Sequence, residues 1–136
     1  MNIANYLFTL YNLFFCSCGF VDPTSVCWNY LKDSVVKLSD SKRQHESVQR
    51  FVEDMNRYHV SRRCTESAII AMCYEKFPVC HQNHFKHRLC KNDCLKVKNE
   101  VCQNQLPTMF PDCSNLPKRS GRKGRHCDKG KLRLYS

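Results

Sequence analysis

Apolar positions along this chain recur at helical rather than strand spacing over most of its length. Ser41, with Gln44 three residues on, forms a capping-box pattern, and Val48, Phe51, Val52 and Met55 then follow at i, i+3, i+4 and i+7, predicting one amphipathic helix. A second helix is predicted from Thr65 to about residue 74, with Thr65 as N-cap, Glu66 in the first turn and the run Ala68-Ile69-Ile70-Ala71-Met72 behind them; Pro78 stops it. A third, over about 86–103, places Cys90, Cys94, Val97 and Val101 on one face with Cys102 beside it, and turns Lys91, Lys96, Lys98 and Glu100 outward. Strand signals are confined to 19–30 and 106–112, and no internal repeat is visible.

Eleven cysteines among 136 residues change that picture from a small helical core to a stapled one. A reducing compartment would leave so many thiols free to no structural purpose, whereas in an oxidising one each bridge adds about 2–4 kcal/mol. The expectation is a mainly α, small, disulfide-rich secreted domain with short β pieces. Residues 6–15 are apolar apart from Thr9 and Asn12, and no charge precedes Asp22, so 1–17 reads as a signal peptide that lacks a basic leading segment. The competing reading is a buried N-terminal helix. A membrane span is not expected, because the stretch falls short of the ~20 apolar residues a bilayer requires.

Charge is unevenly placed: residues 117–136 carry +7 of the overall +10, while the body is nearly balanced. A segment rich in Gly, Ser, Lys and Arg buries no core, so 128–136 reads as a mobile basic tail whose basic run begins near Lys118. Lys118, Arg119, Arg122, Lys123 and Arg125 make a patch suited to heparan sulfate or another extracellular polyanion, or simply a solubilising end. Nucleic acid is disfavoured, since no aromatic residue interleaves these charges. Arg122 and Arg125 also match a minimal proprotein-cleavage pattern. No Asn-x-Ser/Thr sequon occurs.

The cysteine intervals are the most specific feature: Cys18-x8-Cys27-x36-Cys64-x8-Cys73-x6-Cys80-x9-Cys90-x3-Cys94-x7-Cys102-x10-Cys113-x13-Cys127. Together with Cys73-Tyr-Glu-Lys-Phe-Pro-Val-Cys80, Leu89-Cys90-Lys-Asn-Asp-Cys94 and Pro111-Asp112-Cys113-Ser-Asn-Leu-Pro117, this order resembles the Frizzled-type cysteine-rich domain, most closely the version in Ror-type and MuSK-type receptor tyrosine kinases. The likeness spans residues 18–127. Spacing alone leaves the connectivity open. The resemblance implies first to fifth, second to fourth, third to eighth, sixth to tenth and seventh to ninth, that is Cys18–Cys80, Cys27–Cys73, Cys64–Cys102, Cys90–Cys127 and Cys94–Cys113. Cys16 is then odd: it leaves with the signal peptide or stays as a free or substitute thiol, and a cut after Cys18 would remove a needed partner.

Function by resemblance is recognition of Wnt-type secreted ligands, through surface loops and, in many family members, an apolar groove for an acyl chain. Phe51, Met55 and Tyr58 are candidates to line such a groove, and Lys86 and Arg88 to contact ligand protein. Only ten residues separate Cys102 from Cys113, fewer than is usual in the family, which weakens the case for a deep groove and favours acyl-independent contact. No kringle, membrane span or kinase motif follows Cys127, so the chain resembles the isolated domain, as a decoy or a fragment. Metal binding is the rival chemistry, because His81, His84 and His87 recur at every third position between Cys80 and Cys90; a solvated loop explains the same spacing, and the flanking thiols are claimed by bridges. No nucleophile elbow, zinc-protease helix or phosphate-cradling glycine loop is present, so no enzyme and no cofactor are expected.

Overall fold

The computed structural model describes residues 17–81, 84–86, 88–118 and 127, with the backbone alone at 81 and 84. The expected signal segment and Cys16 lie outside these residues, apart from Ser17.

Two long helices, several shorter helical turns and a small sheet enclose one core. The first long helix, α2 (Ser41–Arg57), follows a single turn, α1 (Trp28–Leu31). Its inner stripe is the predicted one: Val48, Phe51 and Met55 are buried and Val52 is half-buried. Its start differs from expectation. Ser41 is the first helical residue, and the chain enters through Asp40 in the left-handed region at φ 60°, with no side-chain cap. Asp40 carbonyl accepts from the Gln44 amide at 2.9 Å, so a backbone group does the work assigned to the Ser41 hydroxyl.

The second long helix, α3 (Arg62–Lys76), begins three residues before the expected start. Ser61 Oγ accepts from the Cys64 amide at 3.1 Å, and Thr65, expected as the cap, instead donates its hydroxyl to the Ser61 carbonyl at 3.2 Å. Arg62 and Arg63 are good helix formers, so once Ser61 satisfies an orphan amide nothing delays the helix. This helix is the central one. Cys64, Ser67, Ala68, Ile70, Ala71, Met72, Cys73 and Tyr74 are all buried, and Phe77 and Pro78 end it.

The sheet is antiparallel in the order β1 (Cys18–Gly19), β2 (Val36–Lys37), β3 (Val79–His81), β4 (His84–Lys86). Lys86, expected to open the third helix, therefore belongs to a strand, and the described part of the histidine stretch is paired strand, with Val79 opposite Lys86 and Cys80 opposite Phe85. Within the 19–30 stretch only Gly19 is in a strand, and 106–112 forms turns without one.

The third helix starts at Lys91, with Cys90 as its N-cap residue. It runs as α4 (Lys91–Leu95) and continues as a π-helical turn (Lys96–Val101). There the Cys102 amide donates to the Val97 carbonyl, five residues back, at 2.9 Å. That spacing stacks Val97 (0% exposed) above Cys102 (2%), where α-helical spacing would have paired Val97 with Val101. Gln103 and Asn104, at φ 50° and 60°, then reverse the chain, and the Asn104 amide closes on the Lys98 carbonyl.

Five disulfides tie these pieces together: Cys18–Cys80, Cys27–Cys73, Cys64–Cys102, Cys90–Cys127 and Cys94–Cys113. They are the five pairs that the family scheme implies for this chain. They join β1 to β3, α1 to α3, α3 to the end of the π turn, and α4 to a short 3-10 turn (Cys113–Asn115). The result is a small, mainly helical, disulfide-rich fold. Among the described residues no helix is long and apolar enough to cross a membrane.

Candidate binding surfaces

Phe51 and Met55 are not available to a ligand. They are 0% and 1% exposed, and Phe110, from the short segment between Cys102 and Cys113, lies against Phe51 with ring centroids 6.2 Å apart. The apolar stripe of α2 is spent on the core, which corrects their assignment as groove residues. Tyr58, just past the end of α2, is 51% exposed. It lines a recess of about 330 Å³ with Val60, Asn104 and Leu106. Asn104 and Leu106 also border a second recess of about 410 Å³, next to Phe110 and Asp112. The trimmed segment thus walls two small hollows.

Lys86 and Arg88 line neither hollow. Lys86 is half-buried on β4, and the Arg88 guanidinium sits 5.2 Å from the ring centroid of Tyr74, holding this cation to α3. Lys37 makes a similar contact with Phe85 at 4.8 Å on the sheet.

The larger concavity lies elsewhere, between residues 20–28, Leu38 and the first half of α2, with a volume of about 920 Å³. Its apolar wall includes Phe20, Pro23, Val26, Trp28 and Leu38. Phe20 at 60% and Val35 at 41% exposure are the large apolar side chains left uncovered at this end of the sheet. Both adjoin the paired residues of β1 and β2, where Cys18 stands opposite Lys37 and Gly19 opposite Val36.

The polar part of this groove was missed in the sequence, because its members are twenty residues apart. Ser25 Oγ lies 2.8 Å from His45 Nδ1, linking the loop to α2, and accepts the Cys27 amide at 3.1 Å. The His45 ring packs on Phe77 at 4.7 Å between centroids. Burial holds His45 below the usual imidazole range, and the nearby Asp22 carboxylate only partly offsets this. Asp22 is itself held below the usual carboxylate range by the backbone and side-chain hydrogen bonds from Thr24. Asp112 is lowered in the same way by Ser114. Such Asx turns are local; the Ser25–His45 bond is the long-range polar link.

Of the basic patch, Lys118 is exposed, and Arg119, Arg122, Lys123 and Arg125 lie outside the described residues. The described residues that flank it are held. The Lys91 amide donates to the Pro117 carbonyl at 2.9 Å, and buried Cys127 is bridged to Cys90. Pro117 and Cys127, the described residues on either side of the basic run, are thus anchored at two adjacent positions, Lys91 and Cys90. The side chains of His81, His84 and His87 lie outside the described residues; among those residues no group of three or more metal-ligating side chains converges. No family model matches the chain.

Proposed function

We propose that this chain is an extracellular recognition domain of the Frizzled-like cysteine-rich type and that it binds a Wnt-type secreted ligand through its protein surface. The observation that carries the reading is the set of five disulfide pairs, whose order along the chain is the one that type of domain uses. At the Phe51 and Met55 face, the core supports surface contact over acyl capture. With Met55 buried and Phe51 buried against Phe110, the hollows near Tyr58 are small, and a deep apolar slot is not available there. Binding of the acylated and non-acylated forms of one Wnt-type ligand to the oxidised protein tests this. The two affinities are expected to differ by less than about tenfold, equivalent to 1.4 kcal/mol. Failure to bind either form defeats the reading, and a much larger preference for the acylated form defeats its acyl-independent version.

A second reading, polyanion binding, is favoured by the paired anchors at Cys90 and Lys91, which hold both ends of the basic run at one place. Replacing Lys118, Arg119, Arg122, Lys123 and Arg125 by Gln is expected to lower the salt needed for elution from heparin without altering folding. Unchanged elution removes this reading.

A further inference from the structure

The groove beside α2 holds more than an apolar wall. It brings the hydroxyl and the carboxylate of one turn, Ser25 and Asp22, together with an imidazole from α2, next to a backbone amide that has no acceptor among the described residues. Ser25 Oγ and His45 Nδ1 are 2.8 Å apart. Ser25 Oγ already accepts the Cys27 amide, so its own proton is free to point at His45, which then carries its ring proton on Nε2. Burial keeps that imidazole neutral near pH 7, the state a base requires. The Asp22 carboxylate acts on His45 electrostatically and favours the imidazolium that a proton transfer would create. Val26, the next residue and part of the groove wall, has a backbone amide with no acceptor among the described residues. In hydrolases with a serine nucleophile, the amide after that serine commonly supports the oxyanion.

We propose that Ser25 is a catalytic nucleophile, with His45 as its base, for the hydrolysis of esters whose acyl part is apolar. The acyl chain lies along Phe20, Val26, Trp28 and Leu38, and the carbonyl carbon sits over Ser25. Ser25 Oγ bonds to that carbon as its proton passes to His45 Nδ1, and the Val26 amide faces the developing charge, while the Cys27 amide holds Ser25 Oγ in position. Collapse breaks the bond to the alkoxy oxygen, which takes the proton from His45 and leaves as the alcohol. Water, giving its proton to the same nitrogen, then displaces Ser25 and releases the carboxylic acid, returning the proton to Ser25. One ester and one water become one acid and one alcohol. The volume of about 920 Å³ is within the range of small-molecule sites. This activity does not rest on recognition of a Wnt-type ligand, and either stands without the other.

The test uses the full oxidised protein with p-nitrophenyl octanoate and an alkyl fluorophosphonate probe. Hydrolysis above the buffer rate is expected, with the probe attached to Ser25 in the peptide mass spectrum. Ser25→Ala and His45→Phe should each lower turnover by about 100-fold or more; His45→Phe keeps a ring against Phe77 while removing the base. Circular dichroism and intact disulfide mass establish that each variant is folded, and if His45→Phe is not, His45→Gln replaces it. The proposal is overturned by the absence of turnover and labelling in the parent, by labelling at another residue, or by folded variants that keep the parent's rate. If no variant folds, the labelled position in the parent decides alone.

Discussion

Ser67 is fully buried on α3, yet its hydroxyl has no hydrogen-bond partner among the described residues. A hydroxyl taken from water without compensation costs about 1–3 kcal/mol, whereas a methyl there would lose little packing. Ser67→Ala is therefore expected to leave stability unchanged or raise it by about 1 kcal/mol, read as an equal or higher midpoint in guanidinium unfolding. A clear loss would show that the hydroxyl is bonded in solution. His45 has the opposite dependence on its surroundings. Burial lowers its folded-state affinity for protons, so between its folded value and the unfolded value of about 6.5 the unfolded chain binds more protons and stability rises with pH. That contribution is complete above the unfolded value and is lost as pH falls below it. The melting temperature of the parent should consequently drop more than that of His45→Phe between pH 7.5 and pH 5; parallel curves would contradict the assignment. Neither feature was legible in the sequence. Ser67 looks like any helical serine, and the Ser25–His45 bond spans a fold that periodicity does not describe.

At the scale of elements, the existence of the helices was legible and their ends were not. The stripe Val48, Phe51, Val52, Met55 specifies α2 because burying one face is what stabilises a helix of this length. The same stripe misled when offered as a groove, because sequence does not say whether Phe110 covers it. The strands, two or three residues each, are too short to produce an alternating pattern, and the bridge from Cys18 to Cys80 holds what pairing alone would not. The π turn is equally silent, since it departs from α spacing to aim Cys102 inward with Val97. The start of α3 offers a direct check. Ser61→Ala removes the acceptor for the Cys64 amide and should cost about 1 kcal/mol, while Thr65→Ala, at an exposed hydroxyl inside the first turns, should stay within about 0.5 kcal/mol. Urea unfolding of the two variants would show the reverse order if Thr65 were the cap.

For the whole molecule, the disulfides distinguish two kinds of stabilisation. Cys64–Cys102 and Cys90–Cys127 span 38 and 37 residues, so restricting the unfolded chain should be worth nearly the same for each, about 4 kcal/mol in the chain-entropy treatment. Their native settings differ. Cys64 sits at the head of the buried helix and Cys102 at the end of the π turn, with Ala68 and Val97 buried close by in sequence, so the bridge clamps two packed elements. Cys90–Cys127 fastens the far end of the basic run to the residue before α4. Replacing both members of a pair by Ser avoids leaving a lone thiol and removes the same loop entropy in each case. The Cys64/Cys102 double variant is expected to fail to accumulate as folded protein when expressed in an oxidising compartment, since losing a native bridge from a small domain costs about 2–5 kcal/mol out of a total stability of similar size. The Cys90/Cys127 variant should accumulate in larger amounts and melt higher, while eluting from heparin at lower salt if the paired anchors matter to the basic run. Equal losses in the two variants would mean that chain entropy alone accounts for the bridges and that the packing around Cys64 adds nothing.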